Sequence, residues 1–403
     1  MLRAGGKEHA EGAFYVWTKE EIRNALDGNV GRVSSPGEPS YPRGEGTPPT
    51  RDSTFFCSHS GVQDGGNVAH DPQGEFTGKN ILMQRQSLAL TAREFSLWIE
   101  PAGAKLLAGL EILREVRAKR PRPHLDDKII TAWNGLMISA LAKGAQVLGE
   151  PSHLAAATRA AEFIERELHD AATGTLYRSW REGRSNIEGF AEDYAYLVQG
   201  LLDLYEAGGE IRWLQWAEKL QARMDALFWD EAGGAYFNSR ADDAAVIVRL
   251  KEDYDGAEPA PNSVAAMNLV RLDWMLGLPG AREKALRTVT ALRPQWSRAA
   301  HALPQMLCAL ELVLAEPRTV VVAGDPAMVE HRALVAVLHE RLEPRRVLLY
   351  ADGAAGQHWL AARRPYLAEM QPRAGRATAY VCENFTCRAP AGSPDELRGQ
   401  LAK

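Results

Sequence analysis

Residues 163–179, FIERELHDAATGTLYRS, can be laid on residues 223–239, RMDALFWDEAGGAYFNS, at an offset of 60. In that register Asp170 meets Asp230 and Gly174 meets Gly234. Leu176 and Tyr177 meet Tyr236 and Phe237, and Ser179 meets Ser239. Each copy reads as a helix end, a tight turn and a short strand. Self-similarity at such a period marks stacked supersecondary units. A second register recurs beside it. NGLMISALAKG from Asn134, DYAYLVQGLLDLY from Asp193 and NSVAAMNLVRLDW from Asn262 each open a helix, with starts 59 and 69 residues apart. These helices carry small and apolar residues on nearly every face, as helices buried between layers do. Each unit is therefore an inner helix, an outer helix and a hairpin. Such units bury their faces only by stacking on neighbours.

Working outward, apolar spacing predicts helices at 101–119, 128–148, 152–169, 192–207, 211–228, 262–277, 280–292 and 296–315. Pro121 and Pro123 stop the first of them. Beyond 317 the pattern changes. RTVVVAG (318–324), RRVLLYA (345–351) and TAYVC (378–382) read as strands, with a helix over 326–341 between the first two. Strand, helix, strand predicts a small α/β unit with parallel pairing. Gly324 reads as a turn into the Pro326 helix rather than as a phosphate cradle. On the other side, GAFYVW (12–17) reads as a strand, and Thr18 caps a short helix with Glu21 closing a capping box. Residues 28–53 are rich in Gly, Pro and Ser and read as a mobile loop or insertion. Residues 71–82 are turn-rich. The expected organisation is a partial hairpin and loop region at 1–100, hairpin repeats at 101–316 and a small α/β subdomain at 317–403.

Composition narrows the function. The chain has 403 residues, 45% hydrophobic and 25% charged, as globular proteins do. A net charge of −5 argues against nucleic-acid binding. No apolar run of about 18 residues is present, so no membrane span is expected. Residues 1–11 lack the apolar core of a signal peptide, and four cysteines make no disulfide scaffold. The expected location is the cytoplasm. Cys382 and Cys387 read as reduced structural thiols, because no further ligands with zinc spacing accompany them. Cys57 and His59 are close in sequence but lie beside the loop, and carry little weight. No metal and no cofactor is expected.

In a stack of hairpins the loops entering the inner helices converge at one end. Here those loops are 122–134, 188–194 and 251–262. The first brings His124, Asp126, Asp127, Trp133 and Asn134; the second Glu192, Asp193 and Tyr194; the third Asp253, Tyr254, Asp255, Glu258 and Asn262. Aromatic rings pack on the apolar face of a pyranose while carboxylates bind its hydroxyls. Neighbouring carboxylates also push their pKa values apart, giving an acid and a base. On that chemistry Asp127, Asp126, His124, Asp193 and Asp253 are the catalytic candidates. Trp133, Asn134, Glu192, Tyr194, Tyr254, Asp255, Glu258 and Asn262 are the substrate-binding candidates. The competing explanation is structural: Asn134, Asp193 and Asn262 suit ordinary helix caps, and at most one of Asp126 and Asp127 is needed as a cap.

The strings EGAFYVWTKEEI, DPQGEFTGKNIL, RPRPHLDDKIITAWNGLMISALA, EDYAYLVQGLLDLYEA, DGAEPAPNSVAAMNLVRL and ATAYVCENFTC appear in that order from about residue 11 onward. Together they resemble the C-terminal part of the YyaL / spermatogenesis-associated protein 20 family. The resemblance implies a mainly α fold: a six-hairpin, glycosidase-like (α/α)6 toroid that follows a thioredoxin-like domain. On that resemblance the chain is expected to lack the thioredoxin-like domain and the first hairpins, and Ala260-Pro261 stands where the family often has Ser-Gly. The chain thus reads as an incomplete toroid with an α/β appendage, a fragment or a short form. An open end invites self-association or a thioredoxin-like partner chain. The expected function is carbohydrate binding or carbohydrate chemistry of the glycoside hydrolase or sugar 2-epimerase type, with a small carbohydrate as ligand. The alternative is a non-catalytic scaffold serving a thioredoxin-like domain, or a domain left inactive by the missing hairpins.

Overall fold

A computed structural model describes residues 12–28, 52–72, 74–383 and 386–402. It divides into two units, Met1–Asp126 and Asp127–Lys403.

The first unit holds α1 (Lys19–Asp27), α2 (Asp52–Ser60), α3 (Leu88–Glu94) and α4 (Ile99–Ala118). Thr18 caps α1 as its sequence predicts. Its Oγ1 accepts from Glu21 N–H at 3.1 Å, and Glu21 Oε2 accepts from Thr18 N–H at 2.7 Å. The expected strand at 12–17 is not formed. Gly12 sits at φ +70°, its carbonyl accepts from Tyr15 N–H, and a turn results. Only Trp17 pairs, exchanging backbone bonds with Asn80. The loop expected at 28–53 lies largely outside the described residues. Its end, Asp52 and Ser53, instead opens α2. Trp17, Ile22, Leu26, Phe56 and Leu113 form the core of this unit.

The second unit begins with β1 (Ile129–Ile130), α5 (Thr131–Leu148) and α6 (Pro151–Glu167). A hairpin of β2 (His169–Asp170) and β3 (Thr175–Leu176) follows, then β4 (Ser179–Trp180), α7 (Ala191–Gly208) and α8 (Ile211–Phe228). Next come α9 (Pro261–Leu276), α10 (Ala281–Ala291), α11 (Arg293–Arg298) and α12 (Pro304–Leu314). Helices α5, α7, α9 and α12 pack side by side as an inner row, and α6, α8 and α10 pair with the first three as an outer row. This is a partial (α/α) toroid. Helix α7 is buried over most of its surface because neighbours flank it on several sides. The predicted helix at 296–315 is broken into α11, a 3-10 turn at Ala300–Ala302 and α12. Pro304 lacks the N–H that a continuous helix would need, and restarts the chain at a first helical turn instead.

Glycine sets the distance between the first inner helices. A Cβ on Gly135 would lie 2.5 Å from the Tyr196 carbonyl carbon, and one on Gly200 would lie 2.6 Å from the Gly135 oxygen. Backbones cross here with no room for a side chain.

The repeat is reproduced bond for bond. Asp170 Oδ1 accepts from Ala172 N–H at 2.9 Å, and Asp230 Oδ1 from Ala232 N–H at 3.0 Å. Gly174 donates to the Asp170 carbonyl at 2.7 Å and Gly234 to the Asp230 carbonyl at 2.9 Å, both glycines at φ +70°. Tyr177 and Phe237 each donate back to the preceding helix end, at 2.9 Å. The strand after each turn then docks on an inner helix: Arg178 O accepts from Thr131 N–H, and Asn238 O from Ala191 N–H, both at 3.0 Å.

The chain ends in β5 (Arg318–Ala323), α13 (Val329–Leu338), β6 (Arg346–Ala351), α14 (Ala355–Ala361), β7 (Thr378–Glu383), β8 (Thr386–Cys387) and α15 (Pro394–Leu401). The sheet order is β6-β5-β7-β8. Strand β5 runs parallel to β6, as expected, and antiparallel to β7. Cys382 and Cys387 are register partners across β7 and β8 and are joined as a disulfide. The expectation of reduced thiols is corrected: spacing alone does not show that a strand reversal brings the two sulfurs face to face. Among the described residues no helix is long and apolar enough to cross a membrane.

Candidate functional site

The loops entering α5, α7 and α9 meet at one end of the helical row. Trp133, on the first turn of α5, donates its indole N–H to Glu258 Oε1 of the third loop at 2.8 Å. Arg178, on the strand leaving the β2–β3 hairpin, is paired with both Glu192 and Asp193, the latter at 3.0 Å. Its guanidinium also lies 5.4 Å from the Phe190 ring centre, in cation–π range. Glu252 is pushed above the ordinary carboxylate range by burial, and then by the charges of Glu192, Glu258, Asp255 and Asp253. The second and third loops therefore share one electrostatic environment.

Several candidates are part of the scaffold instead. Asp193 is fully buried. Its Oδ1 accepts from Ala132 N–H at 2.9 Å, and its Oδ2 from Phe190 N–H at 2.8 Å and from Arg178. It thus caps the start of α5 and the entry to α7 together. Burial pushes its carboxyl up to about 6, against the pull of Arg178. Tyr194 is no stacking surface. It is enclosed in the core, where its hydroxyl accepts from Leu176 N–H at 3.0 Å, because the following turn of α7 faces α8. Asp255 is buried, taking Ala260 N–H at 2.7 Å and the N–H groups of Gln305 and Met306, which open α12. Asn262 is buried too, exchanging bonds with the backbone of Tyr236 at 2.7 and 3.0 Å. Asn134 is half-buried and donates to the Ile130 carbonyl one turn back. None of Asn134, Asp193 and Asn262 is the N-cap of its own helix. Those caps are Ile130, Phe190 and Ala260.

The candidates left at the surface are Trp133, Glu192, Asp253, Tyr254, Glu258 and Asp127. Trp133 and Tyr254 are 52% and 59% exposed, so both rings are open to a ligand. Asp127 pairs with Arg181 at 2.6 Å, and Asp253 accepts from Gln295 at 3.1 Å. His124 and Asp126 belong to the first unit, where both are exposed. Residues that sequence reading passed over are Glu252, Arg178 and Tyr196. Tyr196 donates to the Pro259 carbonyl, and its hydroxyl is held above its usual range by burial and by Glu192, Glu258 and Glu252. A signal for Arg178 was present: it occupies the repeat position matched by Asn238, whose carbonyl receives an inner helix in the same way. Among the described residues no three His, Cys, Asp or Glu side chains are arranged to hold a metal. A cleft of about 520 Å³ lies elsewhere, at the base of the C-terminal sheet, where Arg318, Glu343, Arg345 and Glu383 line it. The acidic end is singled out by its charges and by the two exposed rings.

The row of inner helices, each of the first three paired with an outer helix, places the fold in the (α/α) toroid class. Within that class it is homologous to spermatogenesis-associated protein 20. It is 40% identical to the human protein over 407 residues, 98% of this chain and 50% of that one. The mouse protein is 39% identical with the same coverage. The chain spans about half the length of the curated relatives it matches. No family model matches it. Among solved structures, cellobiose 2-epimerase from Bacillus thermoamylovorans is 12% identical with a TM-score of 0.39, covering 66% of this chain and 67% of that chain. A family 105 glycoside hydrolase from C. acetobutylicum is 16% identical with a TM-score of 0.36, covering 52% and 61%. Likeness this distant carries no chemistry across.

Proposed function

We propose that the acidic end of the helical row binds a carbohydrate, with Trp133 and Tyr254 as stacking surfaces and Glu192, Glu252 and Glu258 as acceptors for sugar hydroxyls. The observation that carries this reading is the exposed indole of Trp133 held by Glu258 beside a half-buried Glu252. An aromatic face next to several carboxylates offers a sugar both its apolar and its hydroxyl contacts. Glu252 is the proton-transfer group of this arrangement. Held above the ordinary range, it keeps its proton to higher pH than an exposed glutamate. Asp193, Asp255 and Asn262 support the reading only by fixing the loops, since their polar atoms are spent on backbone N–H and C=O groups and on Arg178.

Isothermal titration with neutral mono- and disaccharides tests it. The expected result is saturable heat that Trp133→Ala abolishes and Glu258→Gln weakens by about tenfold, the scale of one charged hydrogen bond. Asp127→Asn, at the Arg181 pair, leaves the heat unchanged. If Glu252 accepts a hydroxyl, binding strengthens as pH rises through its raised pKa, and Glu252→Gln flattens that profile. No heat from any sugar would sink the reading and favour a non-catalytic scaffold.

A further inference from the structure

We infer that the Cys382–Cys387 disulfide is a reversible site of thiol–disulfide exchange, reduced by a dithiol, and that its opening loosens the edge of the C-terminal sheet beside the cleft. The two cysteines face each other across β7 and β8, and β8 is the terminal strand of the sheet. Cys387 is exposed and Cys382 half-buried, so a thiolate can reach the bond from solvent. Exposed disulfides are the labile ones, and reactivity follows access. The closed loop is short, with a sequence separation of 5. A loop of that size removes little freedom from the unfolded chain, so the bond is a poor candidate for a staple of the fold.

The strands do not depend on it. Arg388 N–H bonds Val381 O at 2.9 Å, and the Arg388 guanidinium bonds Glu383 Oε2 at 2.8 Å. Ala379 and Ala391 exchange two more backbone bonds, at 2.8 and 2.9 Å. Reduction therefore leaves the sheet in place and frees only its edge. That edge carries a consequence. Glu383 follows Cys382 directly, pairs with Arg318, and forms part of the cleft wall with Arg318 and Glu343.

The exchange balances. A thiolate of the dithiol attacks Cys387 Sγ, the S–S bond breaks, and Cys382 leaves as a thiolate and takes up a proton. The second thiol of the reductant then attacks the mixed disulfide, gives up its proton and releases Cys387 as a thiol. Two electrons pass to the protein, and the reductant leaves as its own disulfide.

The test equilibrates the whole chain in glutathione buffers graded from oxidised to reduced, then in dithiothreitol, without denaturant. Differential alkylation and peptide mass spectrometry report the pair, with Cys308, an exposed cysteine outside it, as the reference for simple glutathione adducts. The expected result is reversible interconversion of the pair at unchanged circular dichroism. Amide exchange in 386–391, the edge strand and its continuation, rises by about tenfold on reduction, as local opening requires, while the β5–β7 ladder and the inner helices stay protected. Cys382→Ser/Cys387→Ser shows the same raised exchange without reductant. The inference is overturned by a pair that stays reduced in the most oxidising buffer, by one that resists dithiothreitol until the protein is denatured, or by exchange that does not change. If the double variant fails to fold, the titration of the wild-type chain still decides.

Discussion

Asp193 is a catalytic candidate by its sequence position, and its surroundings give it another task. Three donors converge on one buried carboxyl: the N–H groups of Ala132 and Phe190, and the Arg178 guanidinium. An asparagine in its place must turn its NH2 toward one of these donors. Asp193→Asn should therefore cost about 1–3 kcal/mol, the penalty of a buried polar group left unmatched. The cost depends on pH with a definite sign. The folded-state pKa is raised from 3.8 to about 6, so the folded protein holds this proton more tightly than the unfolded chain does. The stability this contributes is present below pH 4 and is lost as pH rises through about 6. Denaturant unfolding of the two proteins at pH 4 and pH 7 should show the wild-type advantage shrinking at the higher pH. An advantage that grows with pH would mean that Arg178, not burial, governs the carboxyl. The sequence showed that carboxylates gather in three loops. It did not show which way each one points. Asp253 and Asp255 alternate, which reads as a common facing, yet Asp255 turns inward to the N–H groups of Gln305 and Met306 while Asp253 stays outside. Those partners lie some fifty positions on, and no local spacing reveals them.

Helices were legible from their apolar spacing, their length and the breakers at their ends, and boundaries fell within a few residues for α5 through α10. Helix α2 was not legible. Its DSTFFCSHS has six buried residues in nine and no polar stripe to set a period, and its start was absorbed into the Gly- and Pro-rich stretch before it. The 60-residue repeat was legible because each turn needs the same two residues, an Asp to hold the N–H groups and a Gly at positive φ. What the repeat did not announce is how closely its helices approach. Gly135 looks like a weak point in α5, since alanine has the better helix propensity by about 1 kcal/mol. The crossing reverses that preference. A methyl group there meets the Tyr196 carbonyl carbon at 2.5 Å and the Leu197 nitrogen at 2.6 Å, and backbone cannot step aside as a side chain can. Gly135→Ala should lower stability by about 1–3 kcal/mol or more through overpacking. Gly149→Ala is the contrast: no atom lies within reach of its Cβ, so only the positive φ at the helix end is strained. Thermal unfolding of the two variants separates crowding from backbone strain, and an unchanged melting temperature for Gly135→Ala would remove the close crossing from the account.

In the second unit the helical row and the C-terminal sheet are joined by charge as well as by apolar packing. Asp203 on α7 takes the Lys143 ammonium at 3.1 Å and the Arg271 guanidinium at 2.8 Å, and Ser139 donates to its other oxygen. Burial opposes ionisation of Asp203, but Arg271 and Lys143 outweigh it and hold the carboxyl below its usual range. Arg271 also pairs with Glu206 at 2.8 Å, and Glu206 accepts from Leu348 N–H of β6 at 3.0 Å. Tyr350 of the same strand donates its hydroxyl to the Glu206 carbonyl at 2.8 Å. Helices α5, α7 and α9 are thereby linked to β6 through four charged groups that no sequence period would pair. Removing Glu206 leaves Arg271 with Asp203 alone and leaves Leu348 N–H without its acceptor. Glu206→Ala should cost about 2–3 kcal/mol, the range for hydrogen bonds to charged groups, and should raise amide exchange at Leu348 more than in α5. Glu206→Gln keeps one oxygen, enough for Leu348 N–H, and turns its NH2 toward Arg271, so its cost should be smaller than that of alanine, about 1–2 kcal/mol. If the two variants are equally destabilised, the link between row and sheet is electrostatic and the hydrogen bond to β6 adds nothing. If neither differs from wild type, apolar packing of Tyr205 against Tyr350 is sufficient to hold the sheet.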